Sequence, residues 1–323
     1  MNTIQPGELR ELITKQYGNI TGIAVMKNDA VVFEEYFNGC NGNDCVHVAS
    51  VTKSIVSALV GIAVDMGCIK DIGQPILDFF PDYAIKRGER LIRKITIQNV
   101  LTMTTPYKFK HEPYTKVYSS DDWTKAVLDL TGGKGEEGVF KYTSAGLQIL
   151  SGILVNVTGQ SLRDFAAEKL FALLEIKIPD NLSIRTRDDF VVFLKSNRDR
   201  VWVADPKGVN TAGWGLALSV NDLMKIGRLY LNGGIWKNRR ILSSKWIENS
   251  TRVHSRYGEL SYGFLWWIID NDGAGSFAAL GDGGNAVFVS PEKSIVVAIT
   301  SLFLPRAKDR VELIKKHIIP MFD

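Results

Sequence analysis

The stretch HVASVTKSIVSALVGIAVDMG (residues 47–67) places a single lysine at the start of a largely apolar segment. Ser50 opens this segment and Lys53 follows three residues later, so both side chains project from one face of a first helical turn. A serine hydroxyl is a poor nucleophile until a base removes its proton. Lysine can be that base where burial or a helix N-terminus lowers its pKa from about 10.4 toward about 7 to 8. The stretch therefore predicts a nucleophile and its general base.

Two observations limit this interpretation. A lysine at a helix end can also extend its ammonium into solvent and have no chemical role. The same S-x-x-K spacing recurs in SPEK (residues 290–293), which lies in a predicted turn between two strands, so only the position at a helix start distinguishes the first copy.

The chain has four histidines and no G-x-S-x-G motif, which argues against a histidine-dependent triad. We interpret His47 as a packing residue.

Composition indicates an ordinary globular chain. Of its 323 residues 45% are apolar and 23% are charged, and the net charge is +4, so the basic stretches 85–94 and 237–240 are interpreted as solvated surface. The amino terminus lacks a signal-peptide pattern, and the longest apolar run, 55–64, is too short to span a bilayer. Three cysteines without zinc-type spacing indicate free thiols. We expect a cytoplasmic protein with no metal, no cofactor and no nucleic-acid partner.

Strand patterns occupy both ends of the chain and helical patterns its centre. The predicted strands are 22–26, 31–36, 277–280, 286–289 and 295–300. Helices are predicted after the N-caps Thr96, Ser161 and Ser219. Strands at the two ends of a chain usually meet in one sheet. We therefore expect an α/β fold of the α+β type in a single domain, 1–323, with an α/β lobe of about 1–70 and 240–323 and a helical lobe of about 71–239.

Four blocks of sequence resemble the serine β-lactamase and penicillin-recognising superfamily, in the class C-like branch that also holds esterases, D-amino-acid peptidases and amidases. In chain order the blocks are ASVTKSIVSALVGIAVDMGCIKDIGQPILDFFPDY, GVFKYTSAGLQILSGILVNVTGQSLRDF, TAGWGLALSVNDLMKIGRLYLNGG and YGFLWW. The second block places Tyr142 and Ser144 at the family's Y-x-S motif. Residues from about 22 to 300 are covered, which implies a β-lactamase/transpeptidase-like fold and an acyl-enzyme mechanism.

The resemblance implies a role for each motif residue. Ser50 would attack the substrate carbonyl and carry the acyl group, and Lys53 would take the serine proton. Tyr142 would hydrogen-bond to both and pass a proton to the leaving group. Ser144 would orient Lys53 or the acyl side chain, and it could also be a helix N-cap.

The third family motif is where this sequence departs from the pattern. Asp282, Gly283 and Gly284 take the places of K-T-G, H-x-G or W-x-G, and the amides of Ser50 and Asn285 are the expected oxyanion donors. A carboxylate at 282 would repel a substrate carboxylate by about 1 kcal/mol in water and by more where it is partly buried. The nearby Arg306 could offset this repulsion, and Asp282 could also be a solvent-facing turn residue.

We therefore predict a metal-free serine hydrolase that acts on a small ester, amide or lactam, with carboxylic esters as first choice. β-Lactam or D-Ala-D-Ala-type peptide hydrolysis is the alternative within this class, and an inactive penicillin-fold binding module is the alternative outside it. Adjacent tryptophans in a strand point to opposite faces, so one of Trp266 and Trp267 should be core and the other could wall the acyl pocket. Trp214 could do the same from a glycine-flanked loop.

Overall fold

A computed structural model describes residues 4–270 and 275–323 of the chain. Its largest element is an eight-stranded sheet in the order β2-β1-β14-β13-β12-β11-β10-β9, with every neighbouring pair antiparallel. The strands are β1 Ile20–Lys27, β2 Ala30–Tyr36, β3 Val46–His47, β4 Asp180–Ser183, β5 Val201–Ala204, β6 Ala217–Leu218, β7 Ile235–Trp236, β8 Arg239–Arg240, β9 Ser255–Tyr257, β10 Leu260–Tyr262, β11 Trp267–Ile268, β12 Phe277–Gly281, β13 Asn285–Ser290 and β14 Ile295–Ser301.

The two ends of the chain meet in the middle of this sheet. β1 pairs with β14, for example Ala24 with Ala298, and β14 pairs in turn with β13. All residues of β13 and β14 are buried, which explains why their sequences are continuous apolar runs and do not alternate. The prediction that terminal strands join in one antiparallel sheet is confirmed.

Helices cover both faces of the sheet. They are α1 Pro6–Gln16, α2 Val51–Asp65, α3 Ile97–Leu101, α4 Tyr114–Tyr118, α5 Trp123–Leu130, α6 Gln148–Thr158, α7 Leu162–Ala166, α8 Arg187–Lys195, α9 Val220–Leu231, α10 Ser244–Ser250 and α11 Arg310–Leu313. The predicted N-caps hold, because Thr96, Ser161 and Ser219 each accept a hydrogen bond from the backbone amide three residues later.

The sheet separates two hydrophobic cores. The larger core lies between the sheet and the helices of the chain's centre, and it encloses α2, whose residues from Val51 to Ala63 are all buried. The smaller core packs α1 and α11 against the opposite face. Helix α9 lies close on β14, since a Cβ added at Gly227 would come within 2.4 Å of Val296 Cγ1. This architecture is the predicted β-lactamase/transpeptidase-like fold.

Two sequence expectations can be compared with the described residues. None of the helices in residues 4–270 and 275–323 is long and apolar enough to cross a membrane. Cys40, Cys45 and Cys68 are free thiols. Burial raises the pKa of the Cys45 thiol to about 11, so this cysteine stays protonated and unreactive at neutral pH.

Candidate active site

The turn before α2 presents Ser50 at the start of a buried helix. β3 pairs with β6 just upstream, and Ala49 then takes a left-handed backbone conformation with φ of 49°. A non-glycine residue in that region is strained and persists only where its surroundings impose it. Ser50 is the N-cap residue of α2, and its side chain caps no backbone amide. The hydroxyl is therefore available for other partners.

Lys53 is buried, and its amine has three hydrogen-bond partners. Its Nζ lies 2.7 Å from Ser50 Oγ, 2.9 Å from Ser144 Oγ and 2.6 Å from the carbonyl oxygen of Gly213. The side chain is only 1% exposed, so the ammonium does not extend into solvent. The structure thus excludes the solvated-lysine interpretation and brings the side chains of Ser50, Lys53 and Ser144 together.

Burial sets the protonation of this lysine. Loss of hydration lowers the pKa of Lys53 to about 7, while the charges of Glu112 and, less strongly, Asp282 act in the opposite direction. A large fraction of the side chain is then neutral near physiological pH. A neutral amine 2.7 Å from a serine hydroxyl can accept its proton.

Ser144 contacts Lys53 because another residue caps its helix. Ser144 precedes a 3-10 turn, Ala145–Leu147, that leads into α6, and its hydroxyl makes no cap bond. Glu112 accepts hydrogen bonds from the backbone amides of Ser144 and Ala145, both at 3.1 Å. The proposed N-cap role of the Ser144 side chain is therefore wrong. Glu112, which was not identified from the sequence, caps these two amides instead.

Gly213 is a second residue that the sequence analysis did not single out. Its carbonyl accepts a hydrogen bond from Lys53, and its Cα lies so near Ser144 that an added Cβ would be 2.2 Å from the Ser144 carbonyl oxygen. Only glycine fits between these two backbones. Its place in TAGWG, beside a predicted helix start, was the available signal.

Tyr142 lies beside the nucleophile on an aromatic wall. Lys53 Nζ is 4.9 Å from the centre of its ring, which stacks on Trp267 at 5.6 Å and meets the edge of Tyr262 at 6.2 Å. Loss of hydration raises the pKa of Tyr142 well above its usual value, and a hydrogen bond with Ser50 only partly opposes this. The phenol therefore stays neutral and can both donate and accept a proton.

Trp266 and Trp267 lie in different environments, as expected from their adjacent positions. Trp266 is fully buried in the core, and Trp267 is partly exposed beside Tyr142. Trp214 follows Gly213, and its indole nitrogen donates a hydrogen bond to Tyr118 at 2.7 Å. The ring of Tyr118 stacks on Tyr114. Burial raises the pKa of Tyr114 to about 12.

The end of β12 approaches the nucleophile turn. A Cβ added at Gly281 would lie 2.3 Å from the Val48 carbonyl oxygen. Gly283 and Gly284 lie in the turn to β13, and their nearest neighbours are the loop after β14 and Arg310. The structure thus places Gly281, rather than Gly283 or Gly284, against the turn that presents the serine.

Asp282 and Asn285 have different positions. The Asp282 side chain is exposed on the turn, and its charge acts on Lys53, Tyr142 and Tyr114. Asn285 is buried, and its side-chain amide donates to the carbonyls of His47 and Asp282 at 3.2 and 3.1 Å. Asn285 therefore joins β3, the strand before Ser50, to the turn between β12 and β13.

Residues from both chain ends support this turn from behind. Asn19 Nδ2 donates to the carbonyls of Gly283 and Leu302 at 2.6 and 2.8 Å, and its Oδ1 accepts from Arg310 at 2.7 Å. Arg310 is 3% exposed and packs against Gly284. Arg306 is exposed and lines the same cavity of about 370 Å³ as Asp282, so a cation and an anion share that surface.

His47 is a packing residue, as interpreted from the sequence. It is buried against Phe193 and Trp214, and its Nε2 accepts a hydrogen bond from the Gly215 amide at 3.1 Å. Burial and the charge of Lys53 lower the pKa of His47 to about 3, so the ring is neutral at neutral pH.

Comparison with known proteins places this arrangement in a family. Residues 9–317 match the sequence model of the Beta-lactamase family. The 6-aminohexanoate-dimer hydrolase of Paenarthrobacter ureafaciens is 25% identical over 304 residues, which cover 86% of this chain and 71% of that protein.

Solved structures share the fold at lower identity. A D-stereospecific amidohydrolase from Streptomyces sp. superposes with a TM-score of 0.72 at 15% identity, covering 98% of this chain and 99% of that one. A family VIII carboxylesterase superposes with a TM-score of 0.68 at 17% identity, covering 99% of both chains. With 309 consecutive residues spanned by the family model, this chain belongs to the Beta-lactamase family.

Proposed function

We propose that this protein is a serine hydrolase that forms an acyl-enzyme on Ser50, with Lys53 as the general base. Carboxylic esters are the first choice of substrate and small amides the second. The proposal depends on one observation: the buried Lys53 amine has three hydrogen-bond partners, which are Ser50, Ser144 and Gly213.

These three hydrogen-bond partners orient the lone pair of the neutral Lys53 amine toward Ser50. A neutral amine has two N–H bonds and one lone pair, and the Gly213 carbonyl can only accept a hydrogen bond. If the two N–H bonds point at Gly213 and Ser144, the lone pair faces Ser50 Oγ. Attack on the substrate carbonyl then forms the C–O bond while the hydroxyl proton moves to Lys53 Nζ.

Tyr142 is the proposed proton carrier to the leaving group. Its ring lies beside the amine, with Lys53 Nζ 4.9 Å from the ring centre, and its hydroxyl stays neutral because its pKa is raised. A neutral phenol can give its proton to the departing alkoxide or amine and recover one from the Lys53 ammonium. Water then attacks the acyl-enzyme by the reverse route, which releases the acid and regenerates Ser50.

The oxyanion site is proposed at the meeting of α2 and β12. The backbone amide of Ser50 is one donor, as the sequence predicts. For the second donor the sequence favours the amide of Asn285, whereas the contact of Gly281 with Val48 favours the amide of Asp282, the residue that follows β12. Either amide would stabilise the tetrahedral intermediate by about 3 kcal/mol.

Charge near the site favours neutral or amine-bearing substrates. The charges of Glu112 and Asp282 both act on Lys53, and the exposed Arg306 lines the same cavity as Asp282. A substrate carboxylate would meet these two anions, which argues against efficient β-lactam or D-Ala-D-Ala hydrolysis. Amide hydrolysis is the second candidate, since the similar protein from Paenarthrobacter ureafaciens is named a 6-aminohexanoate-dimer hydrolase and the structural neighbour from Streptomyces sp. a D-stereospecific amidohydrolase.

One panel of assays tests the proposal. A fluorophosphonate probe should label wild-type protein at Ser50, located by mass spectrometry, and should not label Ser50→Ala. Hydrolysis rates are then compared for p-nitrophenyl esters of increasing chain length, the linear 6-aminohexanoate dimer, nitrocefin and a D-Ala-D-Ala peptide. Absent labelling would favour an inactive binding module, and nitrocefin turnover that matches the best ester would overturn the ester assignment.

A further inference from the structure

Glu112 has an unusual position for an acidic side chain of a loop. Both of its oxygens are used by the backbone: Oε1 accepts from the Ser144 amide and Oε2 from the Ala145 amide, each at 3.1 Å. Two donors at a helix start are thereby satisfied by a residue 32 positions away in sequence. The Ser144 hydroxyl, freed from capping, faces Lys53 at 2.9 Å.

We propose that Glu112 is a positioning residue for the general base: it fixes the backbone of Ser144, which orients Lys53, and it holds a fixed negative charge near the Lys53 amine. This inference rests on the proposed function, because it takes Lys53 to be the base. It assigns to one carboxylate two effects, one on geometry and one on charge, that can be measured separately.

The effect of the Glu112 charge on the pKa of Lys53 can be measured because the groups in contact with Lys53 are uncharged. Its three hydrogen-bond partners and the Tyr142 ring are uncharged, and the pKa of Tyr142 is raised, so this phenol does not ionise at neutral pH. His47 on β3 is held neutral by burial. The carboxylates that act on Lys53 are Glu112, with the larger effect, and Asp282. Among the hydrogen-bond partners of Lys53, the Tyr142 phenol and His47, none changes charge near neutral pH, whereas Lys53, with a pKa of about 7, does.

The sign of the charge effect follows directly. A nearby carboxylate stabilises the ammonium form, so Glu112 raises the pKa of Lys53 against the lowering by burial. Removing its charge lowers that pKa, and the acid limb of the pH profile of kcat/KM moves to lower pH. Loss of the backbone contacts alone would lower the plateau of the profile and leave the limb in place.

The experiment compares Glu112→Gln, Glu112→Asp and the control Glu136→Gln, which removes an exposed carboxylate from a loop. The readout is the pH profile of kcat/KM for the best p-nitrophenyl ester. Glu112→Gln keeps one oxygen but turns an NH2 group toward the second backbone amide. We expect its plateau to fall about tenfold or more and its acid limb to move down by about one pH unit.

The other two variants separate the two effects. Glu112→Asp keeps the charge but is shorter by one methylene, so its limb should stay at the wild-type pH while its plateau falls. Glu136→Gln should reproduce the wild-type profile in both respects. An acid limb of Glu112→Gln that is unmoved or shifted upward would overturn the charge role, and an unchanged plateau would overturn the positioning role.

Failure of the inference can be told apart from failure of the proposed function. If wild-type protein shows no Ser50-dependent ester hydrolysis, the proposed function itself has failed. If wild-type protein is active and the Glu112 variants match it, only the inference has failed. Thermal melts identify a variant that has lost its fold. If Glu112→Gln is such a variant, Glu112→Asp still tests the positioning role, because it retains an acceptor for the backbone amides.

Discussion

Replacing Gly213 with alanine tests the geometry of the base most directly. The backbone of Gly213 does not have a positive φ, so alanine is allowed there and the effect is purely steric. Its Cβ would lie 2.2 Å from the Ser144 carbonyl oxygen and 2.8 Å from the Ser144 Cα, both rigid backbone atoms. Relief to an ordinary van der Waals contact requires the two segments to separate by about 1 Å.

This separation acts on both oxygens that hold Lys53, because one belongs to Gly213 and the other to Ser144. A misplacement of about 1 Å can cost about 100-fold in rate, so we expect kcat/KM for p-nitrophenyl esters to fall about 100-fold in Gly213→Ala. Overpacking should also lower the free energy of unfolding by about 1 to 3 kcal/mol, measured by urea denaturation.

Gly7→Ala is the matched control, since nothing lies within 4 Å of a Cβ added at that position in α1. It should retain wild-type activity and stability. A folded Gly213→Ala protein with wild-type kcat/KM would refute the reasoning, because the oxygens that orient Lys53 would then be free to move without consequence.

Three further predictions concern the same cleft. The kcat/KM of wild-type protein should rise with pH through about 7, as Lys53 loses its proton, and a flat profile from pH 5 to 9 would contradict a lysine base. Gly281→Ala should lower ester hydrolysis at least tenfold, because its Cβ would lie 2.3 Å from the Val48 carbonyl oxygen; wild-type rates would count against β12 as a wall of the oxyanion site. Asp282→Asn should raise nitrocefin turnover relative to a neutral ester about fivefold, as expected for removing about 1 kcal/mol of repulsion. An unchanged ratio would mean that Asp282 does not face the substrate.

Much of the fold could be predicted because local signals agree with the tertiary structure. Ser161 and Ser219 are capping residues that the sequence identifies with their partners three positions on, and the structure has both bonds. The runs at 286–289 and 295–300 are strands buried on both faces, which need only apolar β-branched residues to be recognised.

The site could be predicted only in part. Ser50 and Lys53 lie in one helical turn, so their proximity follows from spacing alone. Glu112 and Gly213 are 32 and 69 residues away from Ser144 in the sequence, and their contacts with it depend on how loops cross the start of α6. From the sequence, Gly283 and Gly284 are assigned to the third family motif because GDGGN offers three glycines, and only packing shows that Gly281 is the one against Val48.

The insertion of β14 between β1 and β13 has a consequence for biosynthesis. Ser50 and Lys53 leave the ribosome well before β14 and before Arg310, which supports the turn between β12 and β13 through Asn19. Until β14 is made, the edge of β1 that pairs with β14 in the folded protein stays unpaired. Because the side chains of β1 are buried only in the complete fold, this exposed edge is prone to aggregation. A nascent or truncated chain that ends before residue 295 should therefore lack the proposed activity and depend on chaperones until β14 has been made.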